Sequence, residues 1–249
     1  MSIKFDFKGK RALVTGSGKG IGRRLVKSLV EAGAETYALS RTKSDLDKLK
    51  KELPSVNIVL CDLMDRNETK KAVESCGTID MLVNNAAYAE CQSFLDITPE
   101  SFNKHFRVNV EATIQVSQII VKQMIKQNKG GSIVNISSQA SLIGLENHTV
   151  YGSSKAAIDQ ITRNMSLELG THKIRVTSVN PTVVNTAMAK VGWSDPVRAK
   201  KMTDQIPMGR FAEISEVVSV VMFLLSDAST MISGSCIPID GGCVGSLSL

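Results

Sequence analysis

Tyr151 and Lys155 stand four residues apart in Tyr151-Gly-Ser-Ser-Lys155. On a helix that spacing puts a phenol and an ammonium on one face, a turn apart. A phenol ionises near pH 10, so a proton donor working near neutrality needs a shift of about 3 units, or roughly 4 kcal/mol of preference for the phenolate. A close lysine cation, together with the positive nicotinamide of an oxidised cofactor, supplies that preference. Ser138 follows the apolar run Ser132-Ile-Val-Asn-Ile136, at what would be the carboxyl edge of a strand. A hydroxyl there can donate to a carbonyl oxygen as it gains charge. Asn109 lies between Val108 and Val110; it is either a fourth member of this set or a buried amide satisfied by backbone. Y-x-x-x-K alone is common on surface helices, and the conjunction of four residue types gives it weight. The chemistry it describes is proton delivery to a carbonyl.

A second group of residues is built for phosphate. Thr15-Gly16-Ser17-Gly18-Lys19-Gly20-Ile21-Gly22 sits between a strand-like run and a helical one. Glycines at such a turn permit positive φ and let the backbone approach a pyrophosphate, whose charge the helix N-terminus favours. G-x-G-x-x-G fails because Ile21 occupies its third glycine position, and the spacing is T-G-x-x-x-G-x-G. The second strand ends Leu39-Ser40-Arg41-Thr42, with no carboxylate before Asp45. An acidic residue at that point would bind the ribose hydroxyls of NAD, whereas a cation accommodates the 2′-phosphate of NADP. Arg41 and Lys19 are therefore expected to clamp NADPH/NADP+, unless both are solvated surface charges. Asp62 and Leu63 close the third strand, where Asp62 can accept from an adenine amino group. Asn84-Asn85-Ala86-Ala87 closes the fourth with residues small enough for a cofactor to lie close.

Positioning these groups requires α/β architecture. Strand-like runs at Ala12–Thr15, Thr36–Leu39, Asn57–Leu60, Met81–Val83, Ser132–Ile136, Arg175–Val179 and Cys236–Ile239 alternate with helical stretches near 21–32, 43–52, 66–76, 99–127, 151–169 and 214–225. Long crossovers and right-handed connection predict a doubly wound seven-stranded parallel sheet, a Rossmann-type single domain over residues 1–249. Scattered Gly and Pro reveal no linker.

The net charge of +6 is uneven: residues 1–51 hold thirteen Lys/Arg against five Asp/Glu. Nucleic acid would suit a basic half. Aromatics are only 4% and no basic helix is evident, so a small phosphorylated cofactor explains the asymmetry better. The longest apolar run, Val217 to Leu225, is too short to span a bilayer, and the amino terminus lacks the apolar stretch of a signal peptide. A cytoplasmic location is the expectation. Five dispersed cysteines without a C-x-x-C pair argue against both a disulfide framework and a metal site.

With these motifs in view, the chain resembles the short-chain dehydrogenase/reductase family over essentially its whole length. The likeness rests on T-G-x-x-x-G-x-G, N-N-A at Asn84–Ala86, Asn109, Ser138, Tyr151 and Lys155. It implies a carbonyl-to-alcohol oxidoreductase. Tyr151 would give the proton, Ser138 assist, Lys155 bind the ribose and lower the phenol's pKa, and Asn109 hold a relay water. It adds Val184 and Thr186 to the cofactor-binding set of Gly16, Lys19, Gly20, Ile21, Gly22, Arg41, Thr42, Asp62, Leu63, Asn85, Ala86, Tyr151 and Lys155. Further segments, such as Asn147-His-Thr-Val-Tyr151, Asn180-Pro-Thr-Val-Val184 and Trp193-Ser-Asp-Pro196, are similar to a homotetrameric NADPH-dependent subgroup acting on ketoses and α-dicarbonyls. By that likeness Ser138, Gln139, Leu145, His148, Tyr151 and Trp193 line the pocket of a small-molecule carbonyl substrate; otherwise His148 faces water and Trp193 packs a lid. Ala87 and Thr182 stand where the family pattern has glycine, and the small-residue tail Gly241–Leu249 departs from the subgroup. A reductase of retinal, steroids or 3-oxoacyl thioesters, and a non-catalytic cofactor- or nucleic-acid-binding protein, remain competing readings.

Overall fold

A computed structural model describes residues 4–187, 189 and 193–246. The expected strands all form: β1 (Arg11–Thr15), β2 (Glu35–Ser40), β3 (Asn57–Leu60), β4 (Met81–Asn84), β5 (Gly131–Ile136), β6 (Ile174–Pro181) and β7 (Cys236–Ile239). They pair in parallel in the order β3-β2-β1-β4-β5-β6-β7. Residues such as Ala12, Leu13 and Val14 of β1 are wholly buried on both faces, as continuous apolar runs in a parallel sheet should be.

Helices α1 (Gly20–Glu31), α2 (Lys43–Glu52), α3 (Arg66–Ser75), α4 (Pro99–His105), α5 (Ala112–Gln127), α6 (Thr149–Leu169), α7 (Pro196–Thr203) and α8 (Ile214–Leu225) cover the two faces. One apolar layer joins Leu25, Val26 and Leu29 of α1 to Val217, Val221 and Leu224 of α8. The other joins Val73 of α3 to Val116, Ile120 and Met124 of α5. The sheet separates these layers, and the doubly wound arrangement follows. Its direction of growth reverses between β1 and β4, the crevice where ligands bind in such folds.

Two differences from expectation bear on the site. The stretch 99–127 is not one α-helix: Phe106–Glu111 adopts a π-helical turn between α4 and α5, and Asn109 lies within it. Pro196–Thr203 is a helix that the apolar pattern did not mark, because its sequence PVRAKKMT buries only Met202. Its start is set by Asp195, whose carboxylate accepts from the Val197 amide at 2.9 Å, with Pro196 in the first turn. Of the small-residue tail, residues 247–249 lie outside the described residues. Among the described residues no helix is long and apolar enough to cross a membrane.

Candidate active site

At the carboxyl ends of β1, β4, β5 and β6 lies a cavity of about 490 Å³. Gly16, Lys19, Gly20 and Ile21 line one end, Arg41, Thr42, Asp62 and Leu63 the rim, and Asn85, Ala86, Ser138, Tyr151, Lys155, Val184 and Thr186 the remainder. A depression of about 610 Å³ at the amino-terminal edge of the sheet, around Lys10, Lys129 and Arg175, is larger. It holds none of the residues whose chemistry was singled out, and strand carboxyl ends are where this architecture binds ligands.

The phosphate end is held open by close packing beneath it. Gly16 has φ +65°, and a Cβ there would come within 2.7 Å of the Ala86 Cα. Gly22, which does not line the cavity, is the floor: a Cβ would meet the Gly16 carbonyl oxygen at 2.5 Å. The Asn85 side chain donates to the carbonyls of Thr15 at 2.9 Å and Gly16 at 3.0 Å. The Thr15 hydroxyl in turn accepts from the amides of Asn85 and Ala86. The end of β4 is thereby stitched to the glycine turn, a role for Thr15 that sequence reasoning missed. Among the described residues, Gly20, with φ +56°, has only Thr186 near its Cβ position, at 3.5 Å. Lys19 caps α1 without a side-chain hydrogen bond, and the first turn carries no acidic residue. The helix thus offers its amide end to the cavity, an arrangement that suits a pyrophosphate.

At the rim Arg41 is exposed, whereas Lys19 is not a free cation: its Nζ lies 3.4 Å from Asp45 Oδ2. The first carboxylate after β2 therefore shares the cation pocket. With the Lys19 side chain 75% exposed, such a pair contributes little and can be exchanged for another anion. One oxygen of Asp62 accepts from the Met64 amide at 3.0 Å.

The reactive groups meet at the start of α6. Lys155 is buried, and its Nζ donates to the Ile136 carbonyl at 2.7 Å. Burial pulls its pKa down to about 8, with Asp159 opposing. Burial pushes the Tyr151 phenol up, while a hydrogen bond from Ser138 works against it. The expected lowering of the phenol by Lys155 is thus not what the chain's own groups produce: the ammonium sits over the ring, 5.8 Å from its centroid, and burial prevails. Tyr151 is held as a neutral phenol, the form that donates a proton. Ser138 caps a short 3-10 turn, its hydroxyl accepting from the Ala140 amide at 3.1 Å.

Asn109 is 1% exposed and does not line the cavity. Its Oδ1 accepts from the Tyr88 amide at 2.7 Å, and its Nδ2 donates to the Tyr88 carbonyl and to Ser154 Oγ. Ser154 Oγ donates onward to the Tyr151 carbonyl at 2.7 Å. Both N–H donors of the amide are engaged in tying the Tyr88 loop to the first turn of α6.

Of the substrate set, Ser138 and Tyr151 face the cavity, and the other four do not line it. Gln139 is 2% exposed, and its Oε1 has no partner among the described residues. The Leu145 carbonyl accepts from the His148 amide at 3.1 Å. His148 flanks Tyr151, ring to ring at 6.1 Å. Trp193 packs on Phe211 at 5.8 Å within a small cluster with Met202 and Ile206. As to the glycine departures, Ala87 is not among the positive-φ residues, so a methyl group is tolerated there. Thr182 adds a buried hydroxyl in the cavity wall that has no hydrogen-bond partner among the described residues, an orphaned polar atom that fits a polar ligand beside it.

Residues 16–244 match the family model described as Enoyl-(Acyl carrier protein) reductase. The chain belongs to the short-chain dehydrogenase/reductase family of oxidoreductases. L-xylulose reductase of Bos taurus is 55% identical over 234 residues, 94% of this chain and 96% of that protein. Carbonyl reductase (NADPH) 2 of Sus scrofa is 48% identical, covering 96% and 98%. Among solved structures, a gluconate 5-dehydrogenase from Burkholderia cenocepacia in complex with NADP and tartrate has a TM-score of 0.93 at 26% identity, covering 98% of each chain.

Proposed function

We propose that this chain is an NADPH-dependent reductase of small carbonyls, converting L-xylulose to xylitol and reducing α-dicarbonyls. The observation that carries the reading is one continuous cavity, with an uncapped glycine-rich helix start at one end and Ser138, Tyr151 and buried Lys155 at the other. The names of the relatives point to the same substrate class. When bound, the reduced nicotinamide supplies a hydride to the carbonyl carbon.

The chain does the rest. Ser138 and Tyr151 hold the substrate oxygen, and the neutral Tyr151 phenol delivers the proton as negative charge grows there. Lys155, fixed by the Ile136 carbonyl, stabilises the phenolate left behind. Asn109 keeps the Tyr88 loop and the α6 turn in register. The α1 amides and Gly20 receive the pyrophosphate, Arg41 and Lys19 the 2′-phosphate, and Asp62 the adenine; Val184 and Thr186 close the far wall. His148, Gln139, Leu145 and Trp193 would shape the outer substrate pocket. The free thiols suit the cytoplasm, and the exposed apolar side chains Phe102, Ile114 and Leu167 suit burial in a homotetramer.

The test is a substrate panel with purified protein, following NADPH loss. L-xylulose and diacetyl should be turned over at least tenfold more efficiently than a steroid ketone or a 3-oxoacyl thioester. The reverse order would move the assignment to larger carbonyls. Cofactor binding without turnover of any member would leave a non-catalytic binding protein.

A further inference from the structure

Beside the carbonyl site a thiol that the reduction does not use stands against the His148 ring. The Sγ of Cys91, an exposed residue, lies 3.5 Å from Nε2 of His148. The other ring nitrogen of His148, Nδ1, is 2.6 Å from the Glu146 carbonyl, so Nδ1 carries the proton and donates it. That fixes the neutral tautomer and leaves the Nε2 lone pair facing the thiol. The loop bearing Cys91 is tied down where it counts: the Gln92 amide donates to the Asn147 carbonyl at 3.1 Å, next to His148. A nucleophile, a base and a group orienting the base stand in line, the arrangement that activates a thiol. Contact with His148 lowers the Cys91 pKa, with burial opposing and the Arg198 guanidinium adding to the lowering. The buried thiols behave oppositely, Cys61 and Cys76 being pushed up to about 11.

We propose that Cys91 and His148 form a nucleophilic thiol site at the entrance of the carbonyl pocket, one that adds reversibly to small reactive aldehydes of the α-oxoaldehyde class. His148 takes the thiol proton. The thiolate sulfur then attacks the aldehyde carbon, a C–S bond forms, and the C=O π pair moves to oxygen, which takes the proton back from the imidazolium. Nothing is oxidised or reduced, and the reverse steps release aldehyde and thiol. Because the His148 ring flanks Tyr151 at 6.1 Å, the thiohemiacetal stands at the approach to the proton donor and slows reduction while it persists. The choice of aldehyde rests on the function proposed above; the reactivity of the thiol does not.

Timed alkylation of the folded protein by iodoacetamide, with peptide mapping by mass, tests the thiol without any turnover. Cys91 should be alkylated at least tenfold faster than Cys236, and His148→Ala should remove most of that difference. Alkylated protein should lose reductase activity, and Cys91→Ser should retain activity and resist the reagent. Equal rates at Cys91 and Cys236, or no effect of His148→Ala on the Cys91 rate, would overturn the pair as a nucleophilic site. Brief pre-incubation with methylglyoxal in the absence of NADPH should slow alkylation of Cys91 at least threefold, with recovery after dilution. A fast-reacting Cys91 that methylglyoxal does not protect would overturn the carbonyl addition. The substrate panel fails independently of both arms, since alkylation needs no reductase activity.

Discussion

The residue scale decides the chemistry. Tyr151→Phe keeps the ring and removes only the transferable proton. Turnover should fall by at least 10²-fold with cofactor affinity nearly unchanged, as expected for a general acid; steady-state kinetics and a fluorescence titration check this, and retention of a tenth of kcat would refute the role. Arg41→Asp places a carboxylate where the 2′-phosphate is proposed to sit. It should lower kcat/KM for NADPH at least tenfold and leave NADH level or improved, whereas parallel losses would make Arg41 an ordinary surface charge. Lys155 has a stability signature. In the folded chain it loses its proton near pH 8, against an ordinary value of 10.5. Between those values the unfolded chain binds the extra proton, so stability rises with pH across the window, and below pH 8 the buried ammonium carries its full penalty. Lys155→Met should therefore inactivate the protein yet stabilise it at pH 7, by up to about 3 kcal/mol less the lost bond to Ile136. That gain should shrink as pH climbs toward 10. Thermal melts of both proteins at pH 7 and pH 10 check the sign, and a variant less stable at pH 7 would contradict it.

At the scale of the element, the π turn at Phe106–Glu111 is the feature that sets the site. Such turns are frequent at functional sites. Here one carries Asn109 between the Tyr88 loop and Ser154. Asn109→Ala would orphan the Tyr88 amide and loosen the first turn of α6. We expect kcat to fall at least tenfold with the NADPH dissociation constant changed less than threefold. A parallel loss of cofactor affinity would show that the turn supports the whole cavity instead. The strands were legible because a parallel sheet buries both faces and leaves plain apolar runs such as Ala12–Val14. The glycine turn and Tyr151–Lys155 were legible because spacing alone fixes their faces. The π turn was not, since 99–127 keeps helical periodicity through it. The Lys19–Asp45 contact escaped because it joins a turn to a helix 26 positions along. The Cys91–His148 pair spans 57 positions between two irregular loops, with no periodicity to announce it.

For the whole molecule, the basic surplus of residues 1–51 is spread over both ends of the sheet, and two of its cations, Lys19 and Arg41, line the cavity. Light scattering on the purified protein should give about four times 26.9 kDa, and a monomeric mass in an active preparation would remove the tetramer from the proposal. The layering of the sheet has a consequence for how the chain is made. The inner face of α1, formed by Leu25, Val26 and Leu29, is covered by Val217, Val221 and Leu224 of α8. Synthesis runs from the amino terminus, so one of the first helices to leave the ribosome, though it can pack early on β1 and β2, waits for one of the last before its apolar side is fully shielded. In that interval the nascent polypeptide carries a partly bare greasy stripe, a surface that chaperones bind.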